Sequence, residues 1–126
     1  MNHLSNSQQT RLLRALKVAE LSSANQRHGA VIYKGGSVLS LGINTVPNDH
    51  LSTGEFTGSP NTHAETQAIR ACSPDVDLTN TTLYVARVNK NGIPMFSKPC
   101  KTCQEAIDLA GIKRTIYTTA EGAEIV

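Results

Sequence analysis

This chain has few aromatic side chains and only a small net charge. Its 126 residues include no tryptophan, two phenylalanines and three tyrosines, and 12 basic residues against 10 acidic ones give a formal net charge of +2. Proteins that bind single-stranded nucleic acid stack bases on aromatic side chains along a basic groove. The composition therefore disfavours a polynucleotide partner, although Arg27, Lys98 and Lys101 could meet phosphates.

Cysteine and long apolar runs are scarce as well. Three cysteines, two of them in a single Cys-x-x-Cys, do not make a disulfide framework, and they predict a reducing, cytoplasmic location. No apolar run has the length of a signal sequence or a membrane span, so no membrane partner is expected. The length predicts one domain, residues 1–126, with one core.

Hydrophobic periodicity and turn residues predict an alternation of helices and strands. The predicted helices cover about 7–24, about 63–72 and about 100–110. Ser5 or Ser7 is the predicted N-cap of the first helix, and the third helix ends at Gly111. The predicted strands are HGAVIY, SVLSLGIN, TTLYVARV, KRTIYTT and AEIV. Residues 46–61 are rich in Pro, Gly, Asn, Ser and Thr and predict a long loop, a kind that is usually functional. The last connection is too short for a helical crossover, so the fifth strand should run antiparallel beside the fourth.

Two short motifs predict a metal centre. His63-Ala64-Glu65 is followed by Pro99-Cys100-Lys101-Thr102-Cys103. One imidazole and two thiolates would hold Zn²⁺ and leave its fourth position open, which is typical of a catalytic site. A closed structural site would need another ligand, and Cys72 stands roughly 13 Å from His63 by helical rise. Both motifs begin predicted helices, whose N-termini should lower the thiol pKa values.

Glu65 has an alternative interpretation that involves no chemistry. Thr62 and Glu65 stand in the Ser/Thr-x-x-Glu relation of a capping box, which satisfies the start of a helix. Considered without the neighbouring metal ligands, the pair favours the cap.

The two motifs, in this order, resemble the signature of the cytidine deaminase-like superfamily. The resemblance spans nearly the whole chain and implies a three-layer α/β/α fold with a mixed five-stranded sheet and an antiparallel strand five. It also implies zinc held by His63, Cys100 and Cys103, and Glu65 as the residue that carries protons. The antiparallel strand resembles the cytidine deaminase branch, whereas enzymes acting on free cytidine usually carry cysteine where His63 stands, so the two features point to different branches.

The activity implied by the resemblance is zinc-dependent hydrolytic deamination of a cytosine-type base in a free nucleoside or nucleotide, such as cytidine, deoxycytidine or dCMP. One alternative is a deaminase that acts on a base in single-stranded DNA or RNA. Another is a non-catalytic zinc-stabilised binding module, which the presence of Glu65 disfavours. Members of the superfamily are commonly homo-oligomers, and the same is expected here.

Three residues are predicted to contact the substrate. Asn44 ends a Gly-x-Asn sequence whose amide resembles a binder of the sugar or base edge, although strand-end asparagines also form local turns. The backbone N–H of Ala64 would donate to the pyrimidine carbonyl oxygen from a helix N-terminus. Phe56 would stack on the base or close the 46–61 loop by an apolar contact.

Overall fold

A mixed sheet lies between helices on its two faces. The structure is a computed structural model, and it describes residues 4–23, 26–44, 63–72, 75–119 and 121–125. The elements are α1 (Asn6–Ala19), β1 (Arg27–Lys34), β2 (Ser37–Ile43), α2 (Ala64–Ala71), β3 (Thr82–Val88), β4 (Pro94–Met95), α3 (Lys101–Ala110), β5 (Arg114–Thr119) and β6 (Gly122–Ile125). None of these helices has the length and apolar composition of a membrane span.

The strand order is β2-β1-β3-β5-β6, with β3 and β5 parallel and the other neighbours antiparallel. The antiparallel β5–β6 hairpin confirms the predicted arrangement of the last two strands. The prediction of five strands missed β4, a two-residue strand that pairs with the end of β3 opposite Arg87 and Val88. Because β4 pairs over only two positions, no period-2 pattern marks it in the sequence.

Alternating residues of the central strands face two separate clusters of buried side chains. Val31 and Tyr33 pack on the side of α1, whereas Ala30 and Ile32 pack on the side of α2 and α3. Strands buried on both faces are typical of a sheet covered by helices on both sides. The three-layer arrangement predicted for the chain is therefore present.

Helix α1 differs from the prediction at its C-terminus. It starts after Ser5, which forms a capping box with Gln8, but it ends at Ala19 and not near residue 24. The next apolar residue, Leu21, is 72% exposed, so the buried stripe stops with the helix. Glycine at position 29 allows β1 to pack closely against the end of α1, because a Cβ there would lie 2.4 Å from the backbone nitrogen of Ala19.

Helix α2 is fixed against β2 by backbone contact and side-chain hydrogen bonds. A Cβ on Gly42 would lie 2.3 Å from the carbonyl oxygen of Ala64 and 2.6 Å from the nitrogen of Ala68. The Ser40 hydroxyl donates to the Ala68 carbonyl at 2.7 Å, and the Gln67 side chain accepts from the Ile43 N–H at 2.7 Å. These contacts determine where the first turn of α2, and thus His63, lies relative to the sheet.

Replacing Gly42 with alanine should therefore destabilise the fold strongly. The obstructing atoms belong to the helix backbone and cannot rotate away, so we expect a loss of about 3 kcal/mol in the free energy of unfolding, at the upper end for overpacking. Urea unfolding measures this loss. Gly36→Ala is the matched control, because its Cβ would approach only the Arg11 side chain at 3.9 Å. Equal stability of the two variants would contradict the backbone contact.

Candidate metal and catalytic centre

The N-termini of α2 and α3 bring His63, Cys100 and Cys103 together. His63 and Cys100 are the N-cap residues of the two helices, and neither side chain makes a capping hydrogen bond. Their side chains are thus available for another role, and Cys103 faces them from the first turn of α3. Within the described residues, this is the group of His, Cys, Asp and Glu side chains whose ligand atoms converge, all within 4.8 Å of one another.

The distances fit a tetrahedral zinc ion. The Nδ1 atom of His63 lies 3.3 Å from the Cys103 sulfur and 3.9 Å from the Cys100 sulfur. Ligands bound to zinc at ordinary Zn–S and Zn–N distances stand roughly 3.5–3.8 Å apart. Adjustments of about 1 Å or less in these separations would therefore let the three atoms hold the ion, whose fourth position would stay open.

Cys72 is not part of this centre. It follows the last turn of α2, and its sulfur lies 3.3 Å from the Ser40 hydroxyl oxygen, on the side of the helix that contacts β2. The prediction that Cys72 does not reach the metal ligands agrees with this position.

The predicted effect of the helix N-termini on the thiols is wrong for Cys103. Burial raises the pKa of the Cys103 thiol, and the negative charge of Glu65 and the neighbouring Cys100 raise it further. Desolvation of a thiolate opposes ionisation more than the partial charge of a helix end favours it. In the metal-free protein Cys103 thus holds its proton, and binding zinc has to displace that proton.

Glu65 is the second residue of α2 and is 4% exposed. Burial raises the pKa of its carboxyl group, while its own backbone N–H and the charge of His63 lower it to a smaller extent. Because the N-cap is His63, Glu65 is one position too early to complete a capping box, which needs its Glu at the third helical position. The capping interpretation therefore loses its geometric basis; Thr62 itself lies outside the described residues.

The three predicted substrate contacts have different outcomes. Asn44 uses its side chain structurally: Oδ1 accepts from the His28 N–H at 2.8 Å, and Nδ2 donates to the Gln26 carbonyl at 2.7 Å. One lone pair and one N–H of the amide remain after these bonds. Ala64 is the first residue of α2, so its N–H has no partner four residues earlier within the helix. Phe56 lies outside the described residues.

A buried hydroxyl pair, which was not predicted from the sequence, holds the segment before Cys100. The Ser97 and Thr118 hydroxyls lie 2.8 Å apart, and the Ser97 hydroxyl also lies 3.1 Å from the Val85 carbonyl oxygen. The Thr118 hydroxyl in turn donates to the Met95 carbonyl at 2.7 Å. Serine and threonine in a turn-rich stretch resemble ordinary loop residues, so only the fold shows that they join β3, β4 and β5 beside the Pro-Cys-x-x-Cys motif.

His28 was also missed as a residue of this region. It lies opposite Arg87 on β3, and its pKa is lowered from 6.5 to about 4 by burial, by the charge of Arg87 and, to a smaller extent, by His63. The imidazole is thus neutral at pH 7. Cross-strand neighbours so far apart in the chain cannot be paired from local sequence patterns.

Acid should destabilise the protein through His28. The unfolded chain protonates the His28 imidazole near pH 6.5, and the folded protein does so only near pH 4. The free energy of unfolding therefore falls as the pH falls through that window. Between pH 7 and pH 5 the loss from this one group should be about 2 kcal/mol. Urea unfolding of wild type and His28→Gln at both pH values measures this loss, as the difference between the two proteins in the stability lost from pH 7 to pH 5. Acid release of zinc affects both proteins and cancels in that difference. Equal losses in the two proteins would contradict the assignment.

Comparison with known proteins decides the family. Residues 5–119 match a family model described as the cytidine and deoxycytidylate deaminase zinc-binding region. The chain belongs to this family. The cytidine deaminase-like resemblance of the two motifs is confirmed, and zinc is the metal that His63, Cys100 and Cys103 are positioned to bind. No curated protein matches the chain.

Solved structures share the fold of this deaminase-family chain. A dCMP deaminase from the cyanophage S-TIM5, in complex with dCMP and dUMP, aligns with a TM-score of 0.70 at 21% identity over 93% of this chain and 85% of that one. A cytidine deaminase from Burkholderia pseudomallei aligns with a TM-score of 0.67 at 16% identity over 98% and 92% of the two chains. At these identities the likeness concerns the fold, and the substrate has to be argued from the residues of this chain.

Proposed function

We propose that the protein catalyses hydrolytic deamination of a cytosine-type base in a free nucleoside or nucleotide. The observation that carries the proposal is the set of three convergent zinc ligands beside a buried carboxyl group that does not belong to a capping box. A metal site that served folding alone would gain from a fourth protein ligand and would have no use for a desolvated acid. The non-catalytic module is therefore the weaker interpretation.

Zinc held by His63, Cys100 and Cys103 would supply the Lewis acidity that makes water a nucleophile at neutral pH. Glu65 would take a proton from the water that attacks carbon 4 of the base. The same carboxyl group would pass that proton to ring N3, then take the second proton from the hydroxyl now on carbon 4 and give it to the amine. The amine would leave as ammonia as the bond between carbon 4 and the amine nitrogen breaks. Burial suits Glu65 to this task, because a raised carboxyl pKa favours the uptake of a proton.

Two groups would orient the base and its sugar. The Ala64 N–H stands next to His63 at the positive end of α2 and would donate to the pyrimidine carbonyl oxygen. The remaining hydrogen-bonding capacity of the Asn44 amide would serve the sugar or the base edge. Phe56 as a stacking residue, homo-oligomeric assembly and a cytoplasmic location stay predictions from the sequence.

A substrate panel combined with a salt series tests the proposal. The zinc-loaded protein should release ammonia from cytidine, deoxycytidine or their monophosphates, and its rates should change little with salt. An enzyme that binds a polynucleotide backbone loses affinity steeply with salt, because each neutralised phosphate releases counterions. Efficient deamination of single-stranded oligonucleotides without action on any free substrate would overturn the proposal in favour of the nucleic-acid alternative.

A further inference from the structure

Arg87 lies on the face of the sheet that carries the metal site. It is the last residue but one of β3, and it shares a face with Leu83 and Val85, which pack in the cluster beneath α2 and α3. Opposite it on β1 is His28, which lies on the same face of the strand as Ala30 and Ile32 of that cluster. The side chains of Arg87 and His28 therefore project together toward the layer that contains His63.

The guanidinium of Arg87 is incompletely paired. Its Nη1 donates to the Phe96 carbonyl at 3.2 Å, and its buried Nε has no hydrogen-bond partner. The described residues provide no ion pair for it, although the side chain is half-buried. A charged group withdrawn from water without an anionic partner is costly, so such groups are normally paired in proteins. Arg87 thus has the position and the free donor that an anionic ligand would use.

Two links connect Arg87 to the metal site. Phe96, whose carbonyl it binds, stands four residues before Cys100 on the segment held by Ser97 and Thr118. His28, its cross-strand neighbour, is close enough to His63 for the charge of His63 to contribute to the lowered pKa of His28. Arg87 and the metal site therefore lie at the same end of the sheet, where β1 starts and β3 ends.

We propose that Arg87 binds the 5′-phosphate of a mononucleotide, which makes the monophosphate, and not the nucleoside, the preferred substrate of the proposed deaminase. The inference rests on the proposed function. Guanidinium presents its N–H groups in a planar fork that matches phosphate oxygens. The Nη that Phe96 does not occupy, together with Nε once a side-chain rotation exposes it, would supply that fork. A carboxylate ligand would fit the fork too, but a cytosine nucleotide carries phosphate as its anionic group.

The experiment compares dCMP with deoxycytidine in wild type, Arg87→Gln and Arg87→Lys. We expect wild type to have a kcat/KM for dCMP at least about 30-fold above that for deoxycytidine, the factor typical of a buried charge pair. Arg87→Gln should remove most of that preference, chiefly by raising KM for dCMP, and Arg87→Lys should restore part of it. Lys90→Gln is the matched control, because it removes one positive charge from the exposed turn after β3.

The outcomes separate this inference from the proposed function. Equal kcat/KM for dCMP and deoxycytidine in wild type would overturn the role of Arg87 and leave the deaminase intact, even if the variants do not fold. Loss of activity on both substrates to the same degree in Arg87→Gln, with zinc content unchanged, would show a purely structural arginine. Activity on neither substrate, and none on cytidine or CMP, would instead overturn the proposed function itself.

Discussion

Glu65→Gln should reduce turnover by about 10³-fold or more while zinc content and fold are retained, within the range that a lost general acid–base residue produces. Glutamine keeps the size of the side chain and accepts a hydrogen bond, but it cannot receive the proton of the attacking water. The measurement is kcat on whichever free cytosine substrate the wild-type protein deaminates best, with zinc per chain determined on the same samples. Both kcat and kcat/KM should fall together, because proton transfer belongs to the transition state.

The stability of the same variant distinguishes chemistry from helix capping. Glu65 is 4% exposed and carries a raised carboxyl pKa, so burial opposes its ionised form in the metal-free protein. Removing the charge should leave the metal-free protein as stable as wild type or more stable. Loss of a cap would instead destabilise the protein by about 1 kcal/mol and spare activity. Near-normal turnover of Glu65→Gln would remove Glu65 from the mechanism.

The parts of the site that the sequence predicted are those that local chemistry determines. The starts of α2 and α3 follow from the two motifs, and the end of α3 follows from Gly111, which adopts a φ of 84°. A left-handed C-terminal residue is a local requirement that glycine meets without steric cost. The motifs likewise place His63 and Cys100 at helix N-termini and Cys103 within the first turn of α3, because their positions relative to the helix starts are local properties of the chain.

The parts that could not be predicted depend on contacts between distant segments. The pairing of His28 with Arg87 needs the β1–β3 register, and the Ser97–Thr118 pair needs the position of β4 beside β5. The pKa of Cys103 depends on burial and on the charge of Glu65, neither of which the spacing of the motif contains. Tertiary desolvation thus reversed the expectation drawn from the helix N-terminus.

Gly42-Ile43-Asn44 has structural roles in a sequence that a family resemblance connects with substrate binding. Gly42 allows the backbone of α2 to approach β2, and Asn44 extends the pairing of β1 and β2 past the end of the strand. A family resemblance alone would assign the asparagine to the substrate. The structure adds that its amide is held by backbone groups on both sides, so an Asn44→Ala variant would disturb the sheet end as well as any substrate contact.

Cys103→Ser should abolish zinc binding at neutral pH, leaving roughly one zinc per ten chains or fewer, because a hydroxyl does not ionise to replace a thiolate ligand. Metal analysis after dialysis against a weak chelator measures the loss, and activity should disappear with the metal. Cys72→Ser is the matched control, since its sulfur lies against Ser40 and away from the metal ligands. If Cys72→Ser lost zinc while His63→Ala kept it, the ligand set would be wrong.

The wild-type protein should also show that zinc and protons compete at this site. Burial keeps the Cys103 thiol protonated in the metal-free protein, so each zinc bound must release that proton. Zinc affinity should therefore rise with pH across the neutral range, and titration in a weakly buffered solution should detect the released protons. Because the fold brings His63 to the two thiols, zinc should bind the folded protein more tightly than the unfolded chain, so saturating zinc should raise the thermal midpoint as well. In Cys103→Ser both the proton release and the thermal shift should be nearly absent, whereas Cys72→Ser should retain them. A full thermal shift in Cys103→Ser would mean that zinc stabilises the protein from some other site.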